Sequence, residues 1–208
     1  MSSPPAKNYL AHYMTEQEYL DSEPYAEVKR EYMDGHVYAM AGAKASHNRI
    51  VMNMSVALGN HLKGKPCQPY ASDMKVRVGS AYFYPDVLVD CSDIAGDSHF
   101  TENPVILVEV LSKSTRRMDE TTKRVIYLQI PTLQEYVLIE QDFVDIEVIR
   151  RRNGWQSEHF YLGDSVTFEA IGLTLTVEDV YARVNNPELV EWRQLQAASN
   201  SESKLENQ

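Results

Sequence analysis

Apolar residues recur with two different periods along the chain. Between Ser46 and Gly64 they return every three or four residues, which predicts an amphipathic helix. Its apolar stripe consists of Ile50, Val51, Met54, Leu58 and Leu62. Thr15-Glu-Gln-Glu18 matches a capping box and predicts a short helix to about Ser22. A third helix is predicted from about Asp119 to Gln129, before Pro131.

The other segments have the period of β-strands. The run Pro104–Leu111 is rich in β-branched residues and predicts a central strand buried on both faces. Asp34-Gly35 and Asn153-Gly154 each separate two extended segments, as in a β-hairpin. Residues 91–103 predict a polar loop. The fold class is therefore α/β, with a mixed central sheet, a helix on either side and a β meander toward the C-terminus.

One polar residue interrupts the predicted central strand. Glu109 lies in its middle, where an ionised carboxylate costs several kcal/mol unless it is paired or binds a cation. A neighbouring strand begins at Pro85, and Asp86 is its first polar residue. Two carboxylates on adjacent strands suit a hard cation such as Mg²⁺, and Lys123 follows on the next helix. This combination is typical of a metal site that cleaves phosphodiester bonds.

Each of these residues also has an ordinary interpretation. Pro-Asp often only starts a strand or turn, and Glu109 could form a structural ion pair with a buried lysine or arginine. Lys123 could be a solvated helix lysine paired with Asp119, four residues earlier on the same face. The mid-strand position of Glu109 favours a functional site.

Length and composition predict one globular domain. The chain has 208 residues and 43% hydrophobic content, enough for a sizeable core. Residues 1–13 are expected to be a flexible lead-in, 14–184 the folded domain, and 185–208 a polar, disordered tail. A net charge of −10 argues against broad nonspecific nucleic-acid binding, although it leaves room for a local basic groove.

The cysteines bear on the cellular compartment. Cys67 and Cys91 lack metal-ligand spacing, and no apolar N-terminal run predicts a signal peptide or membrane span. The expectation is a cytoplasmic protein with two free thiols and no membrane association.

Several ordered motifs resemble the Uma2 family. They are Glu31-Tyr-Met-Asp-Gly35, Tyr38-Ala-Met-Ala-Gly42, His47-Asn48, Ser72-Asp-Met-Lys-Val-Arg77, Tyr84-Pro-Asp86, Val108-Glu-Val-Leu-Ser112 and Leu133-Gln-Glu-Tyr-Val137. Uma2 proteins form a group within the PD-(D/E)XK nuclease superfamily, and the resemblance covers roughly residues 15–183. It implies a restriction-endonuclease-like core and Mg²⁺-dependent DNA cleavage, with Mn²⁺ as a substitute metal.

The resemblance also assigns roles. It implies that Asp86, Glu109 and the carbonyl of Val110 bind the metal, with Glu31 as a supporting acid. The superfamily lysine usually lies two residues after the glutamate, where this chain has Leu111. The family version moves it to the following helix, which selects Lys123 over Lys113.

Other residues are candidates for contacts with phosphate or DNA: His47, Asp73, Arg116, Arg117 and Arg124. The ordinary alternative is a solvated charged face. The leading functional hypothesis is a metal-dependent DNA endonuclease, and a homodimer is compatible with it. The rival is a nuclease-fold binding or assembly module without turnover, whose carboxylates survive as a structural ion pair.

Overall fold

The computed structural model describes the backbone of residues 13–205 and the side chains of residues 13–196. Most of the expected flexible lead-in, residues 1–12, lies outside this range. The helices are α1 (Glu16–Ser22), α2 (Ala45–Leu62), α3 (Arg124–Tyr127), α4 (Val177–Val180) and α5 (Pro187–Leu205). A π-helical turn, Met118–Lys123, leads directly into α3.

Thirteen strands complete the described fold. They are β1 (Arg30–Met33), β2 (His36–Ala39), β3 (Gln68–Ala71), β4 (Lys75–Val78), β5 (Ala81–Phe83), β6 (Val87–Asp90), β7 (Phe100–Thr101), β8 (Pro104–Leu111), β9 (Glu135–Glu140), β10 (Ile146–Arg150), β11 (Ser157–Phe160), β12 (Ser165–Phe168) and β13 (Leu173–Thr176).

The central sheet has six strands in the order β11-β10-β9-β8-β6-β3. Strands β8 and β9 are parallel and the other neighbours are antiparallel, so the predicted mixed sheet is confirmed. A second sheet has the order β2-β1-β5-β4-β7, and β12 and β13 form a separate pair.

The two faces of β8 belong to two different cores. Ile106, Val108 and Val110 pack in the core that contains the apolar stripe of α2. Leu107 and Leu111 pack in the core under the second sheet and α3. Glu109 has the parity of Leu107 and Leu111 and therefore points away from α2.

Helix α2 confirms the predicted apolar stripe, and all five stripe residues are buried. It begins at Ala45 rather than at the predicted cap Ser46. Its N-cap residue is Lys44, whose side chain makes no capping hydrogen bond. The capping box of α1 and the Asp34-Gly35 hairpin form as predicted.

The chain changes sheets at Tyr84-Pro85-Asp86. The sequence predicts a strand that begins at Pro85, and the structure places the end of β5 at Phe83 in the second sheet and the start of β6 at Val87 in the central sheet. Pro85 cannot donate a ladder hydrogen bond, so a strand break at this point is expected. Asp86 therefore stands at the start of β6, between the two sheets.

The cysteine prediction is wrong. Cys67 and Cys91 form a disulfide. Gln68 pairs with Asp90 in the β3–β6 ladder, so the two cysteines are the next opposed pair along these strands. Because the sequence does not reveal this register, the spacing of 24 residues gave no hint of the bond. The two cysteines therefore give no support to the expected cytoplasmic location.

The prediction of a disordered tail is also wrong for most of its length, because residues 187–205 form α5. Leu189 is buried in the α2 core, and the carboxylate of Glu188 accepts a hydrogen bond from the Val144 backbone at 2.8 Å. The expected loop 91–103 contains β7, which pairs with β4. Within residues 13–205, no helix has the length and apolar character to cross a membrane.

Candidate active site

The register of β6 and β8 brings the two predicted carboxylates together. Val87 pairs with Val108, so Asp86 and Glu109 extend from adjacent positions of the ladder. Oδ2 of Asp86 accepts a hydrogen bond from the Val110 backbone N–H at 2.7 Å. The Asp86 carboxylate thus lies against the peptide that follows Glu109.

Glu109 is almost completely buried, with 3% of its surface exposed. Its Oε1 accepts hydrogen bonds from the Lys123 ammonium at 3.1 Å and from the Tyr127 hydroxyl at 3.0 Å. The predicted helix lysine therefore reaches the predicted strand glutamate. The π-helical turn contributes to this placement, since Lys123 is its last residue and Tyr127 ends α3.

Lys123 sits among three carboxylates. Its Nζ lies 2.8 Å from Oε1 of Glu31, 3.1 Å from Oε1 of Glu109 and 3.2 Å from Oδ1 of Asp119. Glu31 also accepts a hydrogen bond from the Tyr84 backbone at 3.1 Å, which ties β1 to the point where the chain changes sheets. Asp119 belongs to the cluster although the sequence suggested it only as a surface partner for Lys123.

Burial, together with the excess of carboxylates over cations, shifts the pKa values in this cluster. Burial raises the pKa of Glu109 well above its ordinary value; Lys123 opposes the shift, while Asp119, Asp86 and Glu31 add to it. Burial likewise raises the pKa of Asp119.

The pKa of Lys123 moves well above its ordinary value. Burial alone would lower it, but Glu109, Glu31 and Asp119 together outweigh that effect. The ammonium is therefore charged at neutral pH and can donate hydrogen bonds, but it cannot accept a proton there.

His47 lies on the other side of Asp86. It belongs to the first turn of α2, and its Nε2 is 3.2 Å from Oδ2 of Asp86. Its Nδ1 is buried without a hydrogen-bond partner in the described part of the protein. His47, predicted as a contact for phosphate or DNA, is thus placed to orient the Asp86 carboxylate.

A cleft of about 800 Å³ opens above these residues. The acidic floor contains Glu31, Asp86, Glu109, Asp119 and Lys123, while His47 and the 39–44 segment form one wall. Ser112, Lys113 and Gln141, which directly follow β8 and β9, also line the cleft, with Lys113 exposed at its rim and Gln141 buried.

The structure does not gather the other predicted phosphate contacts in this cleft. Arg116 forms an ion pair with Glu140, and Arg124 forms one with Glu147 at 3.0 Å. Asp73 forms an exposed ion pair with Lys29. Arg117 is exposed but does not line the cleft. The cleft instead contains Lys44, Lys113 and Lys29. Short-range charge patterns could not reveal this arrangement, because the rim is assembled from distant segments.

The donor set can be tested against Mg²⁺. Among the described side chains, no three histidine, cysteine, aspartate or glutamate residues are arranged as a metal cage. Mg²⁺ needs no such cage, since it is commonly held by one or two carboxylates together with water and substrate phosphate. Asp86 accepts its hydrogen bond through Oδ2, and Glu109 accepts both of its hydrogen bonds through Oε1. Oδ1 of Asp86 and Oε2 of Glu109 accept none from the described residues. These two residues therefore fit a water-rich Mg²⁺ site at the cleft floor.

Comparison with known proteins identifies the family. Residues 16–178 match the model of Uma2, described as "Putative restriction endonuclease". The chain belongs to the Uma2 family. The expected membership and nuclease-like fold are thus confirmed.

Two relatives come from Synechocystis sp. (strain ATCC 27184 / PCC 6803 / Kazusa). Uncharacterized protein slr1290 is 33% identical over 173 residues, which cover 81% of this chain and 91% of that protein. Uncharacterized protein sll1609 is 38% identical over 137 residues, 62% of this chain and 75% of that protein.

A solved structure shares the fold of this Uma2 protein. It is described as a "putative nuclease belonging to DUF820" from Anabaena variabilis ATCC 29413. The TM-score is 0.70 at 20% identity, over 83% of this chain and 99% of that one. At this identity the likeness concerns the fold.

Proposed function

We propose that this Uma2 protein is a Mg²⁺-dependent DNA endonuclease. The observation that carries the proposal is the meeting of Asp86 and Glu109 at the floor of an open cleft, with Oδ2 of Asp86 2.7 Å from the Val110 nitrogen. Each of the two carboxylates keeps one oxygen outside the hydrogen-bond network. The family description and the nuclease-like fold support the same class of activity.

Asp86 and Glu109 would hold the cation, with the substrate phosphate and water as the remaining ligands. A divalent cation in this position supplies a bound water of lowered pKa and neutralises charge on the scissile phosphate. The Val110 carbonyl is predicted as a third ligand. The N–H of the same residue donates a hydrogen bond to Asp86, so Val110 lies beside this carboxylate. Mn²⁺ has similar ligand preferences and is the expected substitute.

The surrounding residues have positioning roles in this proposal. His47 and the Val110 N–H orient Asp86, while Tyr127 and Lys123 orient Glu109. Lys123 acts as a fixed positive charge. Its three N–H donors face Glu31, Glu109 and Asp119, so it acts on a bound water or phosphate through its charge. Its raised pKa argues against a role as general base. Glu31 and Asp119 hold the ammonium in place.

One observation favours the rival function. The ammonium of Lys123 already contacts three carboxylates, as expected if Glu109 were part of a structural ion cluster. In that case the protein would be a nuclease-fold binding module without turnover. The excess negative charge of the cluster and the open carboxylate oxygens favour the nuclease.

The two functions are separated by a cleavage assay on labelled DNA with Mg²⁺, with Mn²⁺ and with EDTA. The proposal predicts cleavage with either metal, none in EDTA, and loss of at least 100-fold in Asp86→Asn and Glu109→Gln, a loss typical of removing a group that stabilises transition-state charge. Asp97→Asn, which changes an exposed carboxylate away from the cleft, is the matched control. Cleavage that persists in both site variants would overturn the assignment, and folded wild-type protein without activity on any DNA would favour the binding module.

A further inference from the structure

An exposed aromatic ring stands beside the acidic cluster. Tyr38 on β2 is directly opposite Glu31 on β1 in the antiparallel ladder, so the two side chains share one face. Tyr38 is 37% exposed and lines the cleft. Within residues 13–196 its side chain makes no ring contact, hydrogen bond or ion pair. The hairpin thus presents an unused aromatic surface about one strand spacing from the carboxylate that holds Lys123.

A second unpartnered group lines the same cleft. Gln141 directly follows β9, is only 3% exposed and lines the same cleft. Its Oε1 is buried and has no hydrogen-bond partner in the described part of the chain. A buried acceptor without a partner costs free energy, so its presence calls for a donor. A phosphate ester has no donor to offer, whereas the edge of every nucleobase has one.

The cations of the cleft are few. Lys29 is engaged by Asp73 and by the Ser72 carbonyl, and Lys123 is buried among carboxylates. Lys44 and Lys113 remain on the rim, and Lys44 lies 3.7 Å from Asp142. Proteins that bind duplex DNA through its phosphate backbone commonly make about 6–10 phosphate contacts. A cleft whose remaining cations are Lys113 and the Asp142-paired Lys44, in a chain of net charge −10, does not fit that mode.

The dimensions of the cleft fit a smaller ligand. Its volume of about 800 Å³ falls within the range of pockets that enclose a single small molecule. A nucleotide whose base is not paired would fit such a space, and its base would be free to stack on an aromatic ring.

We propose that the cleft binds an unpaired nucleotide, with its base stacked on Tyr38 and the edge of that base hydrogen-bonded to Gln141. This proposal rests on the proposed nuclease function and defines its substrate class as single-stranded or locally unpaired nucleic acid. Lys44 and Lys113 contact the adjoining phosphates. Single-stranded DNA and RNA share this chemistry, and the test below distinguishes them.

The test measures binding by fluorescence anisotropy, with Ca²⁺ replacing Mg²⁺. The probes are a labelled 12-nucleotide DNA strand, the RNA strand of the same sequence and the corresponding blunt DNA duplex. We expect the DNA strand to bind at least 10-fold more tightly than the duplex. Tyr38→Ala should weaken strand binding by roughly 5- to 100-fold, as removal of a base-stacking ring does, and Tyr38→Trp should restore it.

Gln141→Leu tests the proposed base contact, and Tyr25→Ala is the control for Tyr38→Ala. Gln141→Leu keeps a buried side chain of similar size, so thermal stability should be equal or higher while strand binding weakens. Tyr25→Ala, which removes an 89% exposed ring outside the cleft, should bind like wild type. Equal binding of the RNA strand would extend the substrate class to RNA, whereas weaker RNA binding would restrict it to DNA.

The outcomes separate this proposal from the proposed function. Equal binding of strand and duplex, or unchanged strand binding in folded Tyr38→Ala, would overturn the unpaired-nucleotide proposal even if DNA cleavage is observed. Strand-selective binding that depends on Tyr38 and Gln141, in a protein that cleaves nothing, would support nucleotide recognition and reject the nuclease.

Discussion

The Lys123 ammonium lies 3.1 Å from the Glu109 carboxylate, and two further carboxylates, Glu31 and Asp119, lie within 3.2 Å of the same nitrogen. A simple ion pair would need one carboxylate. Three carboxylates around one ammonium leave the cluster with excess negative charge, which a bound divalent cation would offset.

This imbalance of charge predicts that substitutions of Lys123 and of Glu109 change the free energy of unfolding by different amounts. Lys123→Met strands three buried carboxylates and should lower the free energy of unfolding by about 3–5 kcal/mol in EDTA. Glu109→Gln leaves Glu31 and Asp119 to hold the ammonium and should stay within about 1 kcal/mol of wild type. Urea melts of both variants in EDTA measure the difference. A loss of several kcal/mol in Glu109→Gln would instead indicate that Glu109 is a structural partner of Lys123.

The pH dependence of stability follows from the raised pKa values of Glu109 and Asp119. Because these acids hold protons in the folded state at pH values where the unfolded chain has lost them, the free energy of unfolding should fall as pH rises through their folded-state pKa values. Lys123 changes this slope only in alkaline solution, since its pKa is raised above its ordinary value. Urea melts between pH 5 and pH 9 in EDTA should show a shallower decline in Glu109→Gln than in wild type. An equal slope in both proteins would contradict the assigned shift.

Several parts of this arrangement could be predicted from the sequence. The apolar stripe of α2, the Asp34-Gly35 hairpin and the buried strand β8 each have a strong local signal. Glu109 stood out because a charged residue in a buried strand needs a partner. Asp86 was predicted because it follows Pro85 at the start of a neighbouring strand and belongs to a family motif, and the register of β6 and β8 then places it beside Glu109.

Other parts depend on contacts that no local pattern specifies. The Cys67–Cys91 bond requires the β3–β6 register, and the second sheet requires the break at Pro85. Arg116 looks like a free cation in the sequence, but Glu140 reaches it from β9. Gln141 gave no signal and Tyr38 stood out only as part of a family motif, because the importance of both lies in being unpartnered beside the cleft.

The lysines on the rim provide a test of phosphate binding. Lys44→Ala and Lys113→Ala should each weaken DNA-strand binding and reduce the slope of log affinity against log salt by roughly 0.7, the value for one phosphate contact on a single strand. Lys63→Ala, at the opposite end of α2, is the matched control and should leave the slope unchanged. A slope unaffected by either rim substitution would place the phosphates elsewhere.

The disulfide has consequences for mass and stability. Intact protein measured without reductant should be two hydrogens lighter than the reduced chain. Because the bond spans 24 residues, reduction should lower the free energy of unfolding by about 3 kcal/mol according to the chain-entropy model. Mass spectrometry of protein purified without thiols, followed by urea melts with and without reductant, measures both effects. A mass equal to that of the reduced chain would restore the sequence-based prediction of two free thiols.

The proposed metal site is tested most directly by measuring Mn²⁺ binding to Asp86 and Glu109 with electron paramagnetic resonance. Mn²⁺ free in solution gives a sharp six-line signal that diminishes on binding, so the measurement does not depend on catalysis. A metal site at Asp86 and Glu109 predicts saturable loss of the signal with wild type and Asp97→Asn, competition by Mg²⁺, and binding at least 10-fold weaker in folded Asp86→Asn and Glu109→Gln. Equal Mn²⁺ binding by all four proteins, or no saturable binding by wild type, would contradict the proposed metal site.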